Sequence, residues 1–152
     1  MKERRPSLRL LTLTRRELDE LYAASPAGAI PSGAGRGLAL ILPGTPFVAP
    51  LARAVRVVAW QGKRFDAAAG RLVNSITPFG VEAVPAEVYI GQARFDGKDA
   101  IVLDYSRTSS IARPIRDEIR NVGPGTYLGF AYCGSLRWMT FALDFNDSAA
   151  RS

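Results

Sequence analysis

Three short stretches of the chain gather side chains that can bind or react. The first is Trp60-Gln61-Gly62-Lys63-Arg64-Phe65-Asp66, where two aromatic rings flank two cations. Trp60 and Phe65 can line a pocket wall, and Lys63 can hold the anionic head group of a ligand. The plainer alternative is a junction in which Gly62 makes the turn, Trp60 caps the core and the cations face solvent. The second is Ile101-Val102-Leu103-Asp104-Tyr105-Ser106-Arg107, an apolar run that ends on a carboxylate. Asp104 is either the exposed cap of the next turn or a buried, paired group. Buried, it becomes a candidate acid or base with Tyr105 beside it. The third is Ile115-Arg116-Asp117-Glu118-Ile119-Arg120. On a helix, Ile115, Ile119 and Val122 share one face and Arg116 and Arg120 another, with Asp117-Glu118 between. That is either a solvated lattice of weak ion pairs or a site where Arg116 or Arg120 turns inward to meet Asp104.

Absences narrow the chemistry. The chain has no histidine. This removes Ser-His-Asp and Cys-His mechanisms and histidine-based zinc or iron sites. A carboxylate site for magnesium or calcium would remain, but no calcium-loop spacing occurs, so no metal and no cofactor are expected. Gly33-Ala34-Gly35-Arg36-Gly37 lacks the flanking strand and the Lys-Ser/Thr of a phosphate loop. The one cysteine, Cys133, forbids an internal disulfide and reads as a small residue near a hairpin tip.

The net charge of +6 is unevenly placed. Residues 1–16 hold Lys2, Arg4, Arg5, Arg9, Arg15 and Arg16 against Glu3 alone, so the remainder of the chain is nearly neutral. A near-neutral body does not suit specific nucleic-acid binding, which calls for a basic face. The segment 2–16 would support at most a weak contact with an anionic surface, and residues 1–13 read as a solvated basic arm. No apolar run approaches the length of a transmembrane helix, and Arg9 and Arg15-Arg16 interrupt any signal-peptide core, so a cytoplasmic protein is expected.

The elements that would position these side chains are mostly strands. Thr14-Arg15-Arg16-Glu17 reads as a capping box opening a helix to about Ala24, with Leu18, Leu21 and Tyr22 on its apolar face. Residues 25–37 read as a glycine- and proline-rich loop, and Leu38 to Leu42 as a short strand. Phe47 to Trp60 fits a helix, with a strand as the alternative at its β-branched end. Short strands follow at Lys63–Phe65, Leu72–Ile76 and Val84–Tyr89. Ala93-Arg94-Phe95 and Ala100 to Leu103 pair as a hairpin around Asp96-Gly97. Ile111 to Val122 reads as a helix, with Pro114 in its first turn and Gly123 at its end. Tyr127 to Tyr132 and Leu136 to Phe145 form a closing hairpin around Cys133-Gly134-Ser135. In its second strand Trp138, Thr140, Ala142 and Asp144 would share one face. The sum is one α+β, mainly β domain over residues 14–146, with a frayed tail at 147–152. An antiparallel β-barrel or strongly curved sheet with two or three short helices is expected.

The order of these segments resembles the small bacterial proteins designated GXWXG/DUF4334-like. Trp60-x-Gly62-Lys63-x-Phe65 carries most of the likeness, with Phe95-Asp96-Gly97-Lys98, Ile101 to Tyr105 and Tyr127-Leu128-Gly129 similar to the second half of that family. Gly35-Arg36-Gly37-Leu38-Ala39 stands where the family's Gly-x-Trp-x-Gly would be. The resemblance implies a calycin-like, ligand-holding barrel and no established reaction. The resulting expectation is a binding protein for a small apolar or anionic molecule, fatty-acid-like or aromatic. Its candidate lining residues are Trp60, Lys63, Phe65, Tyr105, Arg116 and Tyr132. The competing expectation is an enzyme using Asp104 with Tyr105 or Arg116 for proton transfer on a small substrate.

Overall fold

The computed structural model describes residues 6–41, 62–75, 82–109 and 112–146. Its first long element starts where the capping box demands. The Thr14 hydroxyl accepts the Glu17 amide at 3.2 Å, and the Glu17 carboxylate accepts the Thr14 amide at 2.8 Å. The helix α2 (Arg15–Ala24) buries Leu18 and Tyr22 and ends at Ser25, ahead of Pro26. Before it lie a helical turn, α1 (Pro6–Arg9), and a 3-10 turn over Leu10–Thr12. For residues 6–12 the expected solvated arm is corrected. Ser7 is buried and donates to Asp144 Oδ2 at 2.6 Å, and Leu10 is buried beside Leu18 and Tyr22. Helical spacing puts Ser7 and Leu10 on one side of the turn, so the segment packs on the barrel instead of standing off in solvent.

Eight strands follow: β1 (Gly33–Ile41), β2 (Gly62–Asp66), β3 (Arg71–Ser75), β4 (Glu82–Gln92), β5 (Asp99–Asp104), β6 (Ile115–Gly123), β7 (Thr126–Cys133) and β8 (Leu136–Asp144). Each pairs antiparallel with its neighbour in sequence, and β1 pairs with β8, so the sheet closes into a barrel without open edges. The first part of β1 (Gly33–Gly35) pairs with β2 and the rest (Arg36–Ile41) with β8, the stagger a closed barrel requires. Glycines reach φ of +73° at Gly97 and +60° at Gly134, in the two hairpin turns expected from sequence.

Three expected elements differ. The glycine run 33–37 belongs to β1, because glycine at inward positions leaves room for rings. A side chain at Gly35 would start 2.5 Å from the Phe145 ring. Ala93-Arg94-Phe95 is turn, since β4 ends at Gln92 and the connection is wider than Asp96-Gly97 alone. The helix over 111–122 is replaced by β6. Its apolar spacing fits a helix, but as a strand it pairs with both β5 and β7. Those ladders satisfy two neighbouring strands that a helix would leave as edges, so tertiary pairing overrides the local pattern. The stretch 47–60, the end of the Leu38–Leu42 strand and the tail lie outside the described residues.

Alternation along the strands divides the molecule into two apolar layers. The lumen holds Phe65, Leu72, Val88, Ile101, Leu103, Tyr105, Ile119, Tyr127, Phe141, Leu143 and Phe145 among others. Its floor is aromatic, with Phe145 edge-on to Phe65 and Tyr127. The segment before β1 closes that end: Ala27 and Ile30 pack on the lumen cluster, and the Tyr127 hydroxyl donates to the Ala29 carbonyl at 2.6 Å. The second layer lies outside the wall, where Leu10, Leu18 and Tyr22 of the helical segment cover Leu128, Phe130, Tyr132 and Ala142.

Candidate functional site

Inside the apolar lumen, away from its aromatic floor, three polar side chains meet. Lys63 is the second residue of β2, Tyr105 follows the last residue of β5, and Asp117 is the third residue of β6. Strand alternation aims all three inward, since Lys63 shares a face with Phe65, Tyr105 with Leu103, and Asp117 with Ile119. The Lys63 ammonium donates to the Tyr105 hydroxyl at 2.7 Å and lies 3.0 Å from Asp117 Oδ2. The Tyr105 hydroxyl donates to the same Asp117 oxygen across a long 3.3 Å. Lys63 is 3% exposed and Asp117 4%. Ions so far from water persist only when paired.

The electrostatics fix the protonation states. Burial alone would push the Lys63 ammonium down, but Tyr105 and Asp117 outweigh it and hold Lys63 above the ordinary lysine value. Burial pushes the Tyr105 hydroxyl up; Lys63 opposes that rise and Asp117 adds to it. Lys63 is therefore a cation and Tyr105 a protonated donor at neutral pH.

A register shift brings in a fourth residue. Ala131 faces Met139 but Tyr132 faces Arg137, so Trp138 is the extra residue of a bulge. Sequence alternation puts Trp138 with Thr140 and Ala142; the bulge instead packs both Trp138 and Met139 on the lumen cluster. The Trp138 indole nitrogen is buried and has no hydrogen-bond partner among the described residues. The rings of Tyr105 and Phe141 lie 5.4 and 5.8 Å from the Lys63 ammonium.

Of the residues expected to line a pocket, Lys63, Phe65 and Tyr105 face the lumen, with Phe65 in the floor. Trp60 lies outside the described residues. Arg116 and Tyr132 do not line the lumen, because strand alternation turns both outward. Arg116 binds Glu118 at 2.9 Å and the Gln92 carbonyl at 2.9 Å. Tyr132 packs in the outer layer, beneath the Arg94 guanidinium. Asp104 is paired in register with Arg116 on the outer wall, where it accepts from the Tyr89 hydroxyl at 2.9 Å and the Ser106 amide at 2.9 Å. Asp104 and Tyr105 therefore sit on opposite sides of the sheet and cannot act on one substrate. Asp117 takes the place expected of Asp104; its signal was an acid two residues from Ile115 and Ile119, which a strand, unlike a helix, puts on their side.

The outer wall carries a second buried polar cluster. Arg120, 1% exposed, forms two bonds to the Asp96 carboxylate at 2.6 and 2.8 Å. Its remaining donors go to the carbonyls of Tyr22, Lys98 and Asp99, and its guanidinium stacks over the Tyr22 ring at 4.4 Å. Glu118 accepts from the Arg94 amide and from Arg116. These contacts tie the 93–98 turn to β6 and α2. An open groove beside α2, lined by Arg15, Arg16, Asp19, Glu20, Ala23 and Phe95, has balanced charges. Among the described residues no group of acids and cysteine is placed to hold a metal ion, and no helix is long and apolar enough to cross a membrane.

No family model matches the chain, and no curated protein matches it. Among solved structures, the chain is similar to a protein from Thermomonospora curvata, with 20% identity over 87% of each chain and a TM-score of 0.59. At that identity the likeness concerns the fold alone. The chain is a mainly β protein built on a closed eight-stranded antiparallel barrel, an architecture shared with that protein.

Proposed function

We propose that the barrel binds a small, largely apolar molecule in its lumen, with the polar end of that molecule at Lys63, Tyr105 and Asp117. The observation that carries this reading is the polar triad set in an apolar lumen, with a buried indole N–H nearby left without a partner. Ligand sites of barrels have this composition: apolar walls and a few polar groups that fix orientation. A barrel interior that served only as core would be cheaper to fill with aliphatic side chains. The Trp60-x-Gly62-Lys63-x-Phe65 element, which carries the resemblance to GXWXG/DUF4334-like proteins, also supplies Lys63 and Phe65 to the lumen.

The test is titration of the neutral dye Nile red into the folded protein. Saturable one-site fluorescence enhancement is expected, weakened by Tyr105→Phe and unaffected by Tyr89→Phe on the outer wall. Absence of saturable binding, or equal effects of the two substitutions, overturns the reading.

One observation favours a second reading, in which the lumen transfers protons. Asp117 engages Lys63 and Tyr105 through Oδ2, so Oδ1 can act as base while Tyr105 donates to a developing oxyanion. This enzyme would use Asp117 in place of Asp104 and Arg116. Deuterium exchange beside the carbonyl of a bound ketone would be lost in Asp117→Asn; exchange at the buffer rate in the unaltered protein sinks it.

A further inference from the structure

We infer that the lumen selects an uncharged ligand bearing an acceptor oxygen, such as an ester or ketone, over a carboxylate or an amine. This rests on the lumen-binding reading and deepens it. The first support is charge. Among the residues whose side chains are described, the cation and the carboxylate buried in the lumen are Lys63 and Asp117, and they pair at 3.0 Å. A carboxylate entering beside them would bring an uncompensated negative charge into an apolar enclosure, and an amine an uncompensated positive one. Lys63 therefore does not play the part of a bare cation awaiting an anionic head group, which its residue type alone suggests.

The second support is the balance of donors and acceptors. The Tyr105 hydroxyl takes a short bond from Lys63 and gives a long one, 3.3 Å, to Asp117. Its proton can turn to a better acceptor at small cost, because a bond of that length is weak. Trp138 supplies another buried donor, and indole N–H cannot accept. Asp117, Ala131 and Met139 stand in register across β6, β7 and β8, and Trp138 adjoins Met139. Two strand spacings of about 5 Å each separate the Asp117 and Met139 positions, so the bulge that carries Trp138 lies within a small molecule's length of the triad. A ligand that completes this set must offer lone pairs without charge.

Calorimetric titration with methyl octanoate, octanoate and octylamine tests the inference, since the three share a chain and differ in charge. Methyl octanoate is expected to bind about tenfold or more tightly than either charged probe, the equivalent of one hydrogen bond gained without an ion desolvated. Tyr105→Phe and, separately, Trp138→Phe should each weaken methyl octanoate several-fold and narrow the gap to octanoate. Either substitution suffices if the other fails to fold. Octanoate or octylamine binding as tightly as the ester overturns the neutral-ligand inference while leaving lumen binding intact. If none of the three binds and Nile red also fails, the lumen-binding reading falls and this inference falls with it.

Discussion

The strand β6 carries two buried polar clusters on its two faces, and they differ in how completely they are satisfied. On the outer face Arg120 spends all its donors on one carboxylate and three carbonyls, and Glu118 accepts from a guanidinium and an amide. On the inner face Asp117 is held through one oxygen, Tyr105 makes one short and one long bond, and Trp138 Nε1 has no partner among the described residues. A fully satisfied cluster has nothing left to offer a ligand and fixes the fold. A cluster with slack retains bonds that only another molecule can complete. Under the proposed lumen-binding reading the contrast separates scaffold from site where residue type does not, because both clusters contain a cation, a carboxylate and a tyrosine.

The sharpest way to break that comparison is to open the saturated cluster. Arg120→Leu strips Asp96 of its partner and leaves the carbonyls of Tyr22, Lys98 and Asp99 short of donors. A loss of about 3–5 kcal/mol is expected, as when one member of a buried ion pair is removed. Urea unfolding measures it. A loss below about 1 kcal/mol would mean that the outer cluster does not hold the 93–98 turn in place.

The inner cluster should respond differently to removal of its cation. Lys63→Met strands Asp117 in the lumen and is expected to cost about 3 kcal/mol. Lys63→Met combined with Asp117→Leu removes both charges, and most of the loss should return, because the lumen walls are apolar and tolerate an aliphatic pair. The preference for methyl octanoate over octanoate and octylamine should return with the stability, because the lumen is again without an uncompensated charge and the Tyr105 and Trp138 donors remain. If the double variant is as unstable as the single one, the triad is scaffold like its outer counterpart.

The pH dependence distinguishes the two faces as well. Hydrogen bonds from Arg120 are the main reason that the Asp96 carboxyl titrates below its ordinary value. A depressed carboxyl pKa contributes stability that is whole above about pH 4 and is lost as pH falls through the folded value. Asp96→Asn lacks that contribution throughout. Its deficit relative to the unaltered chain, measured as urea midpoints, should be present at neutral pH and shrink as the pH drops below about 4. A deficit that stays constant would show that the Arg120–Asp96 bonds do not depend on the ionised carboxylate.

Much of the fold is readable from local chemistry. Thr14 and Glu17 announce α2, and Gly97 and Gly134 mark turns that close hairpins. Lys63, Phe65 and Tyr105 are also recognisable, since a lysine between aromatic residues and a tyrosine after an apolar run are unusual locally. What escapes is decided by long-range pairing. Ile115, Ile119 and Val122 fit a helix and a strand alike, and only the presence of β5 and β7 on both sides selects the strand. On a helix, Asp117 falls on a solvated face and Arg116 can turn inward. Trp138 is hidden for a different reason. Its direction depends on a one-residue slip against Tyr132, and a bulge of this kind carries no glycine to betray it.

The smallest expected effect comes from a tyrosine that resembles Tyr105 in sequence terms and differs from it only in which way it faces. Tyr89 is 37% exposed and donates to Asp104 at 2.9 Å, as Tyr105 donates to Asp117. Water can replace the Tyr89 bond, so Tyr89→Phe should cost less than about 0.5 kcal/mol. Methyl octanoate affinity should not change. Tyr105→Phe removes a bond that no water replaces in the apolar lumen, so it should cost about 1 kcal/mol and weaken the ester several-fold. Equal effects of the two substitutions on ester binding would place the ligand outside the barrel. An effect of Tyr89→Phe alone would place the ligand beside Asp104 on the outer wall.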